Sequence, residues 1–234
     1  MTFFIFNFFI LGQNYINNCN VVFLFFKLFF IMKNICTFFL TMIAFTSVAQ
    51  DTYTKDILSY RYEQNLKFHD KATSPLTKEG LKEFTALSFF KVDEKYRIIA
   101  KLEKTVDATI FEMPTTTARK PLYIKYGTLT FMLDGKEHQL SIYQNKDFGK
   151  DPQYRDYLFL PFTDKTSGTA SYGGGRFLDV LTTDEKADGT IVLDFNKAYN
   201  PYCAYSGRYS CPITPKENAV SAAIKAGVKA YKKH

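Results

Sequence analysis

The chain has 234 residues, with 30 Lys and Arg against 23 Asp and Glu, three His, four Cys and no Trp, for a formal charge of +7. So modest an excess, interleaved with acids along most of the length, speaks against a nucleic-acid-binding protein, whose cations would gather on one stripe. The one basic cluster, Lys225, Lys229, Lys232 and Lys233, sits at the C-terminal end and reads as a solvated tail.

The first fifty residues separate from the rest by composition. Residues 2–11 and 21–30 are mostly Phe, Ile, Leu and Val, and a second apolar stretch with a different order begins at Met32. There Lys33 supplies a charged start, Ile35 to Phe45 an apolar run of secretory length, and Ser47-Val48-Ala49 a small-x-small cleavage site. The pattern predicts a signal peptide starting at Met32 and cleaved near Ala49. Residues 1–31 then read as a spurious extension translated from AT-rich non-coding sequence, with two short membrane-associated segments as the alternative. Losing Lys27 and Lys33 with the leader leaves 28 basic residues against 23 acidic ones, a charge of +5. The mature chain, 50–234, fits a single globular domain with a core of its own. It is expected to be exported, periplasmic or secreted, with no stable membrane span once the leader is gone.

Asp56 to Phe68 places Ile57, Tyr60, Leu66 and Phe68 among charges and predicts a helix, and Thr77 caps a second, short one running to Phe84. From Tyr96 onward the apolar period drops to two. Runs at 97–102, 109–111, 122–124, 127–133, 138–144, 157–162, 176–181 and 190–195, with 219–224 as a further candidate, are separated by turn signals. The fold class is therefore mainly β within an α+β arrangement: an antiparallel β-sandwich or barrel-like domain preceded by two short N-terminal helices.

Asp134-Gly135 suits a two-residue hairpin turn that needs positive φ. That turn fixes the register. Leu133 must face Lys136, Phe131 face His138, Leu129 face Leu140 and Gly127 face Ile142, which puts His138 on an apolar face. A histidine there is a core-edge residue or, less often, a ligand or proton-transfer group. Farther along, Asp164 and Arg176 flank a polar loop between two strands and can meet across its mouth as an ion pair, with Gly173 to Gly175 permitting positive φ or a close backbone approach. Arg176 could instead receive an anionic group, although the glycine run lacks the ending and following helix of a phosphate loop.

The densest polar and aromatic segment runs from Asp194 through Asn196, Tyr199, Asn200, Tyr202 and Cys203 to Tyr205, and continues through Cys211 to Asn218. Asp, Asn and Pro each impose local backbone geometry, so this is either a structural plug or the wall of a site. Cys203 and Cys211 are the cysteines left after leader removal, and in an oxidising compartment a disulfide between them is the leading reading, ahead of free thiols and of a metal site that has too few further ligands.

Three of these segments, Tyr172 to Asp179, Asp194 to Tyr205 and Cys211 to Asn218, followed by Lys225-Ala226-Gly227, closely resemble the bacterial and archaeal domain-of-unknown-function 1684 family. Ser74-Pro75-Leu76, Phe84 to Phe90 and Tyr96-Arg97 resemble its amino-terminal part, so the resemblance extends from Tyr62 to the C-terminus. Thr214, Ala219 and Val228 stand where the family tends to carry proline, arginine and glutamate. The resemblance implies a fold and a shared loop rather than a reaction.

The residues support three functional readings. In a binding module, Asp194, Asn196, Tyr199, Asn200 and Tyr202 line a pocket beside Asp164 and Arg176 and hold a small molecule. In a structural envelope protein the same loop only packs. In a hydrolase, Asp164 or Asp194 serves as general base, Arg176 stabilises developing negative charge, and Asn196 or His138 orients the substrate; no nucleophile elbow or zinc-protease motif accompanies them. The binding reading leads. It calls for a small-molecule partner, no nucleic acid, no cofactor and no metal.

Overall fold

Residues 52–148 and 151–231 are described by the computed structural model, and the leader and start-site expectations concern residues outside these ranges. The second of two compact units begins at Tyr53. Its helices come first: α1 spans 52–69 and α2 Lys78–Glu83, with the Thr77 hydroxyl accepting a hydrogen bond from the Gly80 amide as the N-cap. No helix among the described residues is long and apolar enough to cross a membrane.

Seven strands follow: β1 (Arg97–Lys104), β2 (Ile110–Glu112), β3 (Leu122–Leu133), β4 (Lys136–Asn145), β5 (Tyr157–Phe162), β6 (Arg176–Leu181) and β7 (Thr190–Asp194). They form one antiparallel sheet in the order β6-β5-β4-β3-β1-β7, with β2 added to β3. The sheet curls so that the chain leaving β7 reaches the edge of β6, where Phe177 and Tyr199 exchange backbone hydrogen bonds of 2.8 and 3.0 Å. The result is a half-barrel, the barrel-like form of the expected fold class. The runs at 122–124 and 127–133 are one strand, because the shift in β3–β4 pairing between Lys125 and Gly127 is a bulge that interrupts the apolar alternation without ending the strand.

The β3–β4 hairpin has the expected register, including Phe131 opposite His138, and Asp134 and Gly135 both take positive φ, 51° and 72°. Inside the curl, Leu129, Phe131, Leu140, Ile142, Leu160 and Leu193 are all at most 3 % exposed and form the main core. The segment 219–224 is not a strand. Ala219 makes a single parallel bridge to Thr163, the chain then bends, and Val220, Ile224 and Ala226 close over the core. A smaller cluster on the outer face joins Met113, Tyr123, Tyr143, Phe159 and Phe177, while α1, α2 and the loop after β7 share a third around Phe68, Phe84 and Tyr205. Between these last two clusters lies a groove.

Candidate functional site

Arg176 opens β6 facing inward, opposite Phe162 in the ladder, and its side chain is completely buried. Nη2 donates to Asp164 Oδ2 at 2.6 Å and to the Ile224 carbonyl at 2.8 Å, and Nη1 donates to the Ala226 and Val228 carbonyls. Burial pushes the guanidinium pKa down, and the adjoining carboxylate opposes that shift. Asp164 accepts the Thr166 amide at 2.5 Å with its other oxygen. The loop mouth is therefore closed, and Arg176 fastens the C-terminal segment to the sheet. Gly175 takes positive φ, 92°, at the base of this loop. Gly227, at φ 73°, lets the same C-terminal segment approach the chain after β7 where an added Cβ would stand 2.6 Å from the Ala198 carbonyl oxygen.

Asp194 and Asn196 are similarly engaged. Asp194 Oδ1 accepts from the Tyr53 hydroxyl at 2.9 Å and the Asn196 amide at 3.1 Å, while the fully buried Asn196 carboxamide bonds both backbone groups of Asp93. They tie α1, the entry to β1 and the end of β7 together. His138 lies 5.7 Å from the Phe131 ring and is buried, and Phe131 in turn lies 5.9 Å from the ring of Phe195, the residue between Asp194 and Asn196. The structure thus places Asp164, Arg176, Asp194, Asn196 and His138 in packing and tethering positions, none of them lining the groove.

Tyr199, Asn200 and Tyr202 do line it. The groove encloses about 540 Å³ between one face of α1, the outer face of β6 and the loop 198–212. On α1 the wall is Tyr60, Gln64, Lys67 and Phe68, a spacing that sets them on one side of a helix. On β6 it is Phe177 and Asp179. The Tyr157 hydroxyl donates to Asp179 Oδ1 at 2.5 Å, and the Tyr199 hydroxyl donates to the same oxygen. Burial raises both tyrosine pKa values well above the ordinary phenol, followed for Tyr157 by the nearby Asp179 charge and for Tyr199 by Tyr157 and then Asp179, so both hydroxyls stay neutral donors. Asn200, 2 % exposed, donates to the Lys229 carbonyl at 2.9 Å, and its Oδ1 has no hydrogen-bond partner among the described residues.

Several groove residues escape the sequence reading. Tyr60 and Phe68 look like ordinary core positions of an amphipathic helix. Asp179 carried a usable signal, because strict alternation from Arg176 puts it on the opposite face of β6, beside Phe177. The same parity excludes Arg176 and Asp179 from one site.

The cysteine bridge expected from the sequence is not formed. Both residues are free thiols, with the Cys203 amide donating to Cys211 Sγ at 3.2 Å and the Tyr172 hydroxyl 3.9 Å from Cys203 Sγ. The hydrogen bond from the Cys211 thiol, aided by Tyr172, lowers the Cys203 pKa to about 7 and raises that of Cys211. Above that pH Cys203 is mainly thiolate and hence the nucleophile of the pair. Iodoacetamide alkylation of reduced protein should therefore rise through a midpoint near pH 7 at Cys203 while Cys211 stays slow. Equal rates at the two sites would contradict this asymmetry, and failure of both to react before reduction would reveal a bridge. Among the described residues, no group of three His, Cys, Asp or Glu is placed to hold a metal ion.

A family model described as a protein of unknown function (DUF1684) matches residues 82–229, more than half of the chain. The chain belongs to this family. The match takes in the β6 and loop walls of the groove, while the α1 wall precedes it. An uncharacterized protein of Haloarcula marismortui, solved by solution NMR, is similar at 32% identity and a TM-score of 0.61, over 80% of this chain and 98% of that one. No curated protein matches.

Proposed function

We propose that this DUF1684 protein is an exported binding protein that holds a small organic molecule in the groove between α1, β6 and the 198–212 loop. One observation carries the reading: a concavity of about 540 Å³ with aromatic walls and an oriented carboxylate, Asp179, facing into it. That volume lies within the usual range of small-molecule sites, as does the combination of apolar walls with a few convergent polar groups. The hydrolytic alternative is weaker, because the groups it needs, Asp164, Asp194, Arg176 and Asn196, are engaged in internal bonds away from the groove.

A ligand that binds only the folded protein raises its melting temperature by mass action. A thermal-shift screen over organic cations, sugars and carboxylates should therefore yield at least one concentration-dependent stabiliser. Tyr202, half exposed and packed on Tyr209 at 5.2 Å, should be removable with little loss of stability. The Tyr202→Ala variant is thus expected to melt within a few degrees of wild type and to lose the ligand-induced shift. A shift that survives this change would place the ligand elsewhere, and a screen without stabilisers would count against the groove. Export rests on the Ser47-Val48-Ala49 pattern, and N-terminal sequencing of protein recovered outside the cytoplasm should find a chain starting near Gln50.

A further inference from the structure

We infer that the groove takes an organic cation, with an alkylated ammonium lying against the tyrosine faces and its charge opposite the carboxylate of Asp179. The inference rests on the groove being a ligand site and adds the chemical class. Asp179 is the one acidic side chain among the groove's described lining residues. Two tyrosine hydroxyls converge on its Oδ1, whereas Oδ2 takes no hydrogen bond from any described residue. The carboxylate is thereby oriented without being neutralised, and no Lys or Arg pairs with it among the described residues.

The rings of Tyr60, Phe177, Tyr199, Tyr202, Tyr205 and Tyr209 line the same groove, those of Tyr60 and Tyr209 also lying against the side-chain cations of Lys197, at 5.9 Å, and Arg208, at 4.9 Å. Aromatic faces carry negative electrostatic potential and attract cations, most strongly where water is displaced, and they favour alkylated ammonium ions, which cannot regain full hydration in bulk water. Lys67 is the one basic lining residue; it is exposed on α1 and makes no ion pair with Asp179. An anionic ligand would meet Asp179 repulsion, and a neutral one would leave the carboxylate desolvated without compensation.

The deciding comparison uses choline and its neutral carbon isostere, 3,3-dimethylbutan-1-ol, titrated calorimetrically into the intact protein. Shape is nearly constant between the two, so a difference in affinity reports charge. Choline should bind at least about tenfold more tightly than the isostere, and Asp179→Asn, which keeps an acceptor for both tyrosines, should remove about that factor. Circular dichroism and melting of the Asn variant separate loss of charge from loss of fold. Equal affinity for both probes, lost in Tyr202→Ala, would overturn the cation and leave the binding groove intact. No binding of choline, with a sugar or carboxylate stabilising the protein in the thermal screen, would likewise overturn the cation alone. Failure of every compound in both experiments would overturn the cation and the groove together.

Discussion

Replacing Arg176 with Ala should cost about 3–5 kcal/mol of folding stability, the range expected when one partner of a buried ion pair is deleted and the other charge stays behind unpaired. Asp164 and Arg176 side chains are both fully buried, 2.6 Å apart, and the guanidinium also serves carbonyls of the C-terminal segment at Ile224 and Ala226. A domain of this size has a total stability of about 5–15 kcal/mol, so the variant should be substantially less stable and its urea midpoint should fall accordingly. Asp164→Ala should cost a similar amount. The double variant should cost clearly less than the sum of the two, by about 2 kcal/mol or more, because removing both charges eliminates the orphan that either single change creates. Additive losses in a denaturation cycle would show that the two groups do not depend on each other. The site residues and the stability residues would then need to be reassigned.

How much of this was legible in the sequence depends on whether the informative pattern was local. The Asp134-Gly135 turn fixes its own φ values and therefore the register of the seven cross-strand pairs between it and the β3 bulge, which is why the position of His138 could be read in advance. The helix cap at Thr77 and the alternation in β6 are local in the same sense. The ion pair between Asp164 and Arg176 was readable as a pair because a short loop joins two neighbouring strands, but its burial depends on the C-terminal segment closing over it some fifty residues later. The role of the aromatic loop could not be divided into plug and wall. Asp194 and Asn196 turn toward α1 and β1, whereas Tyr199 and Tyr202 turn toward the groove, and that division depends on where the chain after β7 meets the β6 edge. The groove needs α1 as its second wall, a contact between residues more than a hundred positions apart. No local pattern contains it.

Asn218 provides the second large expected effect, and it explains why a short Pro-Lys-Glu-Asn run matters to the sheet. β4 and β5 are paired in register at a single position, Tyr143 opposite Phe159, and beyond it β5 reaches Pro161, which has no amide hydrogen to continue a ladder. The Asn218 side chain fills that opening. Its Oδ1 accepts the Ser141 amide at 2.9 Å, and its Nδ2 donates to the carbonyls of Ser141 at 2.7 Å and Pro161 at 2.6 Å, so one carboxamide stands in for a missing piece of strand. The 3-10 turn Lys216–Asn218 sets it in place, and the residue is fully buried. Asn218→Ala would leave three buried backbone groups without partners, each costing about 1–3 kcal/mol, so a total loss of about 3 kcal/mol or more is expected. Asn218→Asp should not rescue it, because a carboxylate keeps the acceptor for the Ser141 amide but faces two carbonyl oxygens with no hydrogen to give. Hydrogen exchange provides a local readout: the Ser141 amide should lose protection in Asn218→Ala by more than global destabilisation explains. A loss below about 1 kcal/mol, with the Ser141 amide still protected, would mean that the opening between β4 and β5 is held by the core on its inner face rather than by this side chain.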